Sequence, residues 1–155
     1  MKRIFWNKTF LMQYILTSAV LLMCYMFFAL LESEWDFVAL IGYVLFQPLI
    51  GIFISILTIL LCAIVGLPIR LNSKLNIWWT KNYIISALGI LIGLTLFFLS
   101  YKHQFVTTQK IEIDGFMQDR IVPNWTLLIS GWFLTGFMTL HLFIFKRKVE
   151  SKNAM

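Results

Sequence analysis

The stretch Phe37–Val65, FVALIGYVLFQPLIGIFISILTILLCAIV, holds no charged residue from end to end. A helix needs about 20 apolar residues to cross the hydrocarbon core of a bilayer, and this run exceeds that length. Only helices and closed barrels satisfy their backbone within lipid. A continuous apolar run without strict alternation excludes the barrel. Working outward, three more stretches read the same way, at about residues 10–31, 83–101 and 125–145.

Composition agrees. The 155 residues are 60% hydrophobic and 13% charged, with a mean hydropathy of +0.84. Soluble domains carry roughly twice that charged fraction. A soluble chain this short leaves about a third of its unfolded surface exposed, so the apolar surface must face lipid. Disorder is excluded on the same ground. The expected fold is all-α: a polytopic membrane protein, a four-transmembrane-helix bundle in one domain spanning residues 1–155. An outer loop at 102–124 and an inner loop at 66–82 join its helices.

The linkers set the orientation. Lys2, Arg3 and Lys8 precede the first run, Arg70, Lys74 and Lys81 lie between the second and third, and Lys146, Arg147, Lys148 and Lys152 follow the fourth. Basic residues beside spans mark the cytoplasmic side, so both termini are expected there. Glu32, Glu34 and Asp36 fall on the other side and read as a solvated acidic cap. The first run is too long for a signal peptide and lacks a small-residue cleavage pattern, so it is expected to be retained. Trp6, Trp35, Trp78, Trp79 and Trp125 fall at membrane edges, where an indole is most stable; Trp132 alone lies inside a run. The inner loop is expected to lie along the cytoplasmic headgroups.

The outer loop is the one sizeable polar segment. Lys110-Ile111-Glu112-Ile113 alternates polar and apolar, Asp114-Gly115 follows, and Phe116 to Val122 resumes. Asp-Gly between such runs predicts a two-residue type I′ turn, since both positions need positive φ. The expected short hairpin should lean on helix ends or on a partner, because an isolated one is marginal.

Residues able to do chemistry are few. No Asp, Glu, Lys or Arg lies inside a run, whereas ion-coupled transporters and voltage sensors usually need such groups at depth. Only His103 and His141 are present, at opposite faces, so no haem or metal set is expected. Cys24 and Cys62 form no Cys-x-x-Cys pair and read as small core hydrophobes. The basic residues sit beside apolar runs and not along a solvated stripe, so no nucleic-acid partner is expected.

The candidate intramembrane polar residues are Gln47, Pro48, Ser55, Thr58, Ser130 and His141. Gln47-Pro48 lies near the midplane, where Pro48 frees the carbonyl of Val44; this is either a kink satisfied by neighbouring helices or the broken helix of a substrate path. His141 and Ser130 nearly superimpose in helical projection. Small residues mark packing faces: Gly51 with Ser55 and Thr58, Gly89 with Gly93, and Gly131 with Thr135. Such stripes let backbones approach, within the chain or against a second copy.

These features predict a non-enzymatic membrane protein that works by protein–protein interaction, as an accessory or assembly subunit or a toxin-immunity type protein. Its contact residues are Ile111, Ile113, Asp114, Gly115, Phe116 and Ile121. The alternative is a small transporter, channel or lipid-handling protein with a path near Gln47, Pro48, Ser55 and Thr58. Membrane lipids, another membrane or extracytoplasmic protein and a second copy of the chain are the expected partners. No cofactor is expected, and the expected location is a plasma membrane of bacterial inner-membrane type.

Overall fold

The computed structural model describes residues 8–32, 37–102, 105–113 and 116–142. The chain is mostly helical. In order it forms α1 (Lys8–Glu32), α2 (Phe37–Val65), α3 (Leu67–Leu71), α4 (Ser73–Lys81), α5 (Tyr83–Leu99), strands β1 (Thr107–Ile113) and β2 (Phe116–Val122), and α6 (Trp125–Leu140).

Two helices, α1 and α2, are long and apolar enough to cross a membrane. A third span results if α4 and α5, which meet at a 72° bend, are taken together. This fits a membrane protein. The 29 residues of α2 reach about 43 Å, well beyond the roughly 30 Å hydrocarbon core, so α2 must tilt or bend. Pro48 lies inside it, where a missing N–H favours bending.

The segment read from sequence as the inner loop is helical, as α3 and α4. Asn72 caps α4 by accepting from the N–H groups of Lys74 and Leu75 at 3.0 and 3.3 Å, the usual use of an Asn before a helix. Leu75, Ile77 and Trp78 of α4 are exposed, giving this short helix an outward apolar surface.

Helix α6 is the hub. It packs on α5, α1 and α2, and it buries Leu128, Gly131, Thr135, Gly136, Thr139 and Leu140. Its apolar centre joins Leu21 of α1, Ile59 and Cys62 of α2 and its own Leu140. The closest seam is α5 against α6. A Cβ on Gly131 would lie 2.6 Å from the Gly93 carbonyl oxygen and 2.7 Å from the Phe97 nitrogen. A Cβ on Gly93 would meet Thr135 Oγ1 at 2.4 Å, and one on Gly89 would meet Met138. Gly51 faces Tyr25 and Leu22 of α1. These small-residue stripes are therefore occupied within the chain.

Strands β1 and β2 pair antiparallel in a two-stranded sheet, with Thr107 opposite Val122 and Ile113 opposite Phe116. The turn expected at Asp114-Gly115 lies outside the described residues. The base of this ribbon is anchored: Val122 and Pro123 are buried, and the Asn124 N–H donates to the Ser100 carbonyl at 3.0 Å.

Helix α6 corrects one expected boundary. It stops at Leu140, not near residue 145, and His141 is its C-cap with φ −100° and ψ 17°. The physical reason lies in its last carbonyls. The oxygens of Leu140, His141 and Leu142 accept from side chains of other elements, as described next, so the helix end is satisfied without a further turn.

Candidate functional site

The densest polar cluster sits at the end of the bundle opposite the ribbon. Gln13 on α1 is 1% exposed. Its Nε2 donates to the Leu142 carbonyl at 3.1 Å, while its Oε1 accepts from Arg70 Nη2 at 3.4 Å. The same Arg70 nitrogen donates to the Leu140 carbonyl at 3.2 Å, and the guanidinium stands 4.6 Å from the Phe10 ring centroid. Trp79 Nε1 donates both to the His141 carbonyl at 3.0 Å and to Ser86 Oγ at 2.9 Å. Ser86 Oγ in turn donates to the His141 carbonyl at 3.3 Å.

Three carbonyls at the C-terminus of α6 are thus held by donors from α1, α3, α4 and α5. A helix C-terminus carries partial negative charge and favours a cation nearby; Arg70 supplies it. Burial lowers the Arg70 guanidinium to about 10, which still leaves it charged at neutral pH.

His141 is fully buried. Its ring stacks on Phe137 with centroids 4.4 Å apart, and Nδ1 lies 2.8 Å from the Phe137 carbonyl. A carbonyl only accepts, so Nδ1 carries a proton. A Cβ on Gly66 would stand 1.9 Å from His141 Nε2, so the imidazole occupies the space that glycine leaves. The cluster is a clamp: its geometry pairs donors with backbone carbonyls, an arrangement that fixes helix ends.

Sequence reasoning missed most of this clamp. Gln13 is a lone amide in the first apolar run, and Arg70 is a single cation flanked by Leu67, Pro68, Ile69 and Leu71. Both patterns are signals of an inward-facing polar group. Trp79, assigned to the headgroups, turns its N–H inward to Ser86 and His141. Trp78 is 49% exposed and Trp125 55% exposed; Trp6 and Trp35 lie outside the described residues.

The intramembrane candidates do not converge. Gln47 Oε1 accepts from the Tyr25 hydroxyl of α1. Thr58 Oγ1 accepts from Trp132 Nε1 at 2.9 Å and donates to the Ile54 carbonyl at 2.8 Å. Ser55 and Thr135 are buried with hydroxyls that lack a hydrogen-bond partner among the described residues. The pairing of Ser130 with His141 is corrected: Ser130 is exposed and His141 buried, because the helix ends before His141 and its ring folds back on Phe137. Cys24 and Cys62 are free thiols.

If Gln47 only ties α2 to α1, Gln47→Leu should leave function intact. The loss of stability should stay near 0.6 kcal/mol, the average for interhelical polar contacts in membranes. Thermal unfolding in detergent, read beside Tyr25→Phe, checks this; abolished function in a well-folded Gln47→Leu protein would instead make Gln47 a substrate ligand.

Of the contact residues read from the outer loop, the register sets Ile113 opposite Phe116, Ile111 opposite Gln118 and Thr108 opposite Ile121. Directly opposed positions share a face and faces alternate along a strand. Positions 111, 113 and 116 therefore fall on one face of the ribbon and position 121 on the other. Asp114 and Gly115 lie outside the described residues. Among the described residues, no group of His, Cys, Asp and Glu is placed to hold a metal ion. Comparison with known protein families, characterised proteins and solved structures finds no match.

Proposed function

We propose that this chain is a non-enzymatic integral membrane protein that recognises another protein through its β-ribbon. In this reading α1, α2, α5 and α6 are four spans, both termini are cytoplasmic, and the ribbon is a hairpin outside a bacterial-type inner membrane. The observation that carries the reading is the ribbon itself. Two seven-residue strands pair only with each other among the described residues, so each keeps one edge of open backbone donors and acceptors. Such edges accept a partner strand, and the side chains beside them set specificity. An assembly subunit or an immunity-type protein would use that surface.

The interior supports the same reading. A transport path needs polar groups converging on a cavity. Gln47 and Thr58 are instead engaged across helices by Tyr25 and Trp132.

Two experiments test the proposal. In a cysteine-free background, cysteines placed at Ser33 and Gln118 should react with an impermeant thiol reagent in intact cells, and one at Ser73 only after lysis. Labelling of position 73 in intact cells overturns the orientation. Separately, Gly115→Val should disrupt the ribbon turn, since a β-branched residue resists positive φ. The variant should insert and purify normally but lose the partner that co-purifies with the wild type in mild detergent. Full retention of that partner would move recognition away from the ribbon.

A further inference from the structure

The two open edges of the ribbon differ in what they can pair with. Along a strand, successive residues turn their N–H and C=O groups to opposite sides, so every second residue of β1 faces its open edge. Two identical strands related by a two-fold axis pair antiparallel only where outward-facing residues meet outward-facing residues. The axis must then pass through a residue and never between two. That leaves few registers, and charge ranks them.

Strand β1 reads Thr107-Thr108-Gln109-Lys110-Ile111-Glu112-Ile113. An axis at Lys110 sets lysine on lysine, and one at Glu112 sets glutamate on glutamate. An axis at Ile111 sets Lys110 opposite Glu112 twice, Gln109 opposite Ile113 twice, and Ile111 on itself. Opposite charges directly across a ladder stabilise it and like charges destabilise it, so the sequence of β1 is complementary to itself in that one register. Strand β2 has no equivalent: its charged residues, Asp119 and Arg120, are adjacent, and the alternation never sets one against the other. Pairing β1 of one copy on β2 of the next would match only Lys110 with Asp119, and it would leave an open chain of subunits.

Stability points the same way. A two-stranded ribbon is marginal in water, whereas three or more strands with an apolar face stand on their own. Pairing through β1 makes four strands. Positions 111, 113 and 116 of both copies then share one face, the face on which Val122 is buried. The opposite face carries Thr108 and Lys110, both exposed.

We propose that two copies of this chain join through β1 into a four-stranded antiparallel sheet, with the two-fold axis at Ile111 and Lys110 of each copy opposite Glu112 of the other. This deepens the reading above and rests on its use of the ribbon as a docking surface. The β1 edge takes the second copy, and the β2 edge stays open for the other protein. Two copies in one bilayer share a two-fold along its normal, so the joined sheet lies parallel to the membrane.

The test is disulfide trapping of the full chain in membranes, in the cysteine-free background, with copper phenanthroline as oxidant. A residue on the axis meets its own copy. Ile111→Cys should therefore trap most chains as a covalent dimer, since opposed Cα atoms lie about 4.5–5.5 Å apart, within disulfide range. Gln109→Cys should not trap itself, because the two positions 109 stand about 14 Å apart, but it should trap Ile113→Cys when both chains are co-expressed. Glu112→Lys added to Ile111→Cys should lower trapping about tenfold, by setting lysine on lysine at two places. Position 112 stands opposite Met117 within the ribbon, so this change leaves the ribbon's own Lys110–Asp119 pair in place. Co-expression with an Ile111→Cys chain that also carries Lys110→Glu and Asp119→Lys should restore trapping, because the two chains are complementary. Failure of Ile111→Cys to trap, or equal self-trapping at positions 109 and 111, overturns the pairing. Trapping unmoved by Glu112→Lys overturns the register. If trapping fails while Gly115→Val still releases the co-purifying protein, only the second copy is struck from the ribbon. If trapping holds while Gly115→Val retains that protein, the pairing stands and the other protein docks elsewhere.

Discussion

Gly131→Ala should cost about 3 kcal/mol, the upper end for overpacking a tight core, and lower the midpoint of thermal unfolding in detergent by roughly 6–12 °C. The added methyl would meet the Gly93 carbonyl oxygen at 2.6 Å and the Phe97 nitrogen at 2.7 Å. Both are backbone atoms inside a helix, so neither can swing aside. The methyl can be accommodated only if α5 and α6 separate. Helices in lipid gain no hydrophobic energy from meeting, so van der Waals contact carries much of their association. Separation by even half an ångström forfeits a quarter or more of that attraction at each contact. A control substitution at Ile129, which is exposed on the same helix, should leave the midpoint unchanged. An unaltered midpoint for Gly131→Ala would mean that the two helices do not meet at this seam.

Gly66→Ala should destabilise the opposite end by a similar amount, for a different reason. Its methyl would stand 1.9 Å from His141 Nε2. A side-chain end can usually move, but this imidazole is stacked on Phe137 and bonded to the Phe137 carbonyl. The ring must leave its place, and with it goes the order of the clamp. The decisive measurement is the double variant. Gly66→Ala in a His141→Ala background should cost less than about 0.5 kcal/mol, giving a coupling of about 2.5 kcal/mol between the positions. Additive losses would show that Gly66 is needed for its own backbone conformation and not for the space it leaves.

The long elements were legible because lipid imposes a simple rule. The charge-free run of α2 appears with the bounds read from sequence, 37–65. The pairing of β1 with β2 also followed from alternation around Asp114-Gly115. The end of α6 was not legible, since Phe143-Ile144-Phe145 continues the apolar run without a break in composition. The donors that satisfy its last carbonyls lie more than fifty residues away in sequence. Hydropathy also could not tell where the Trp79 N–H points. An indole at a membrane edge satisfies the interface rule whether its N–H faces water or a buried carbonyl, and only the fold around Ser86 distinguishes these. Ser130 failed for a related reason: projecting two residues on one helix assumes that the helix includes both.

The clamp on the last helix has a consequence for biogenesis. Chains emerge from the ribosome N-terminal end first, so Gln13, Arg70, Trp79 and Ser86 are all made before the carbonyls they hold. During synthesis these donors wait without their final acceptors, and the seam of α5 has no backbone to meet. Docking of α6 onto the earlier helices is therefore a late step in completing the tertiary structure. Nascent chains arrested before residue 125 should present an amide, a guanidinium and an indole N–H together near the membrane surface, a polar signature by which quality-control proteases can separate unfinished copies from finished ones.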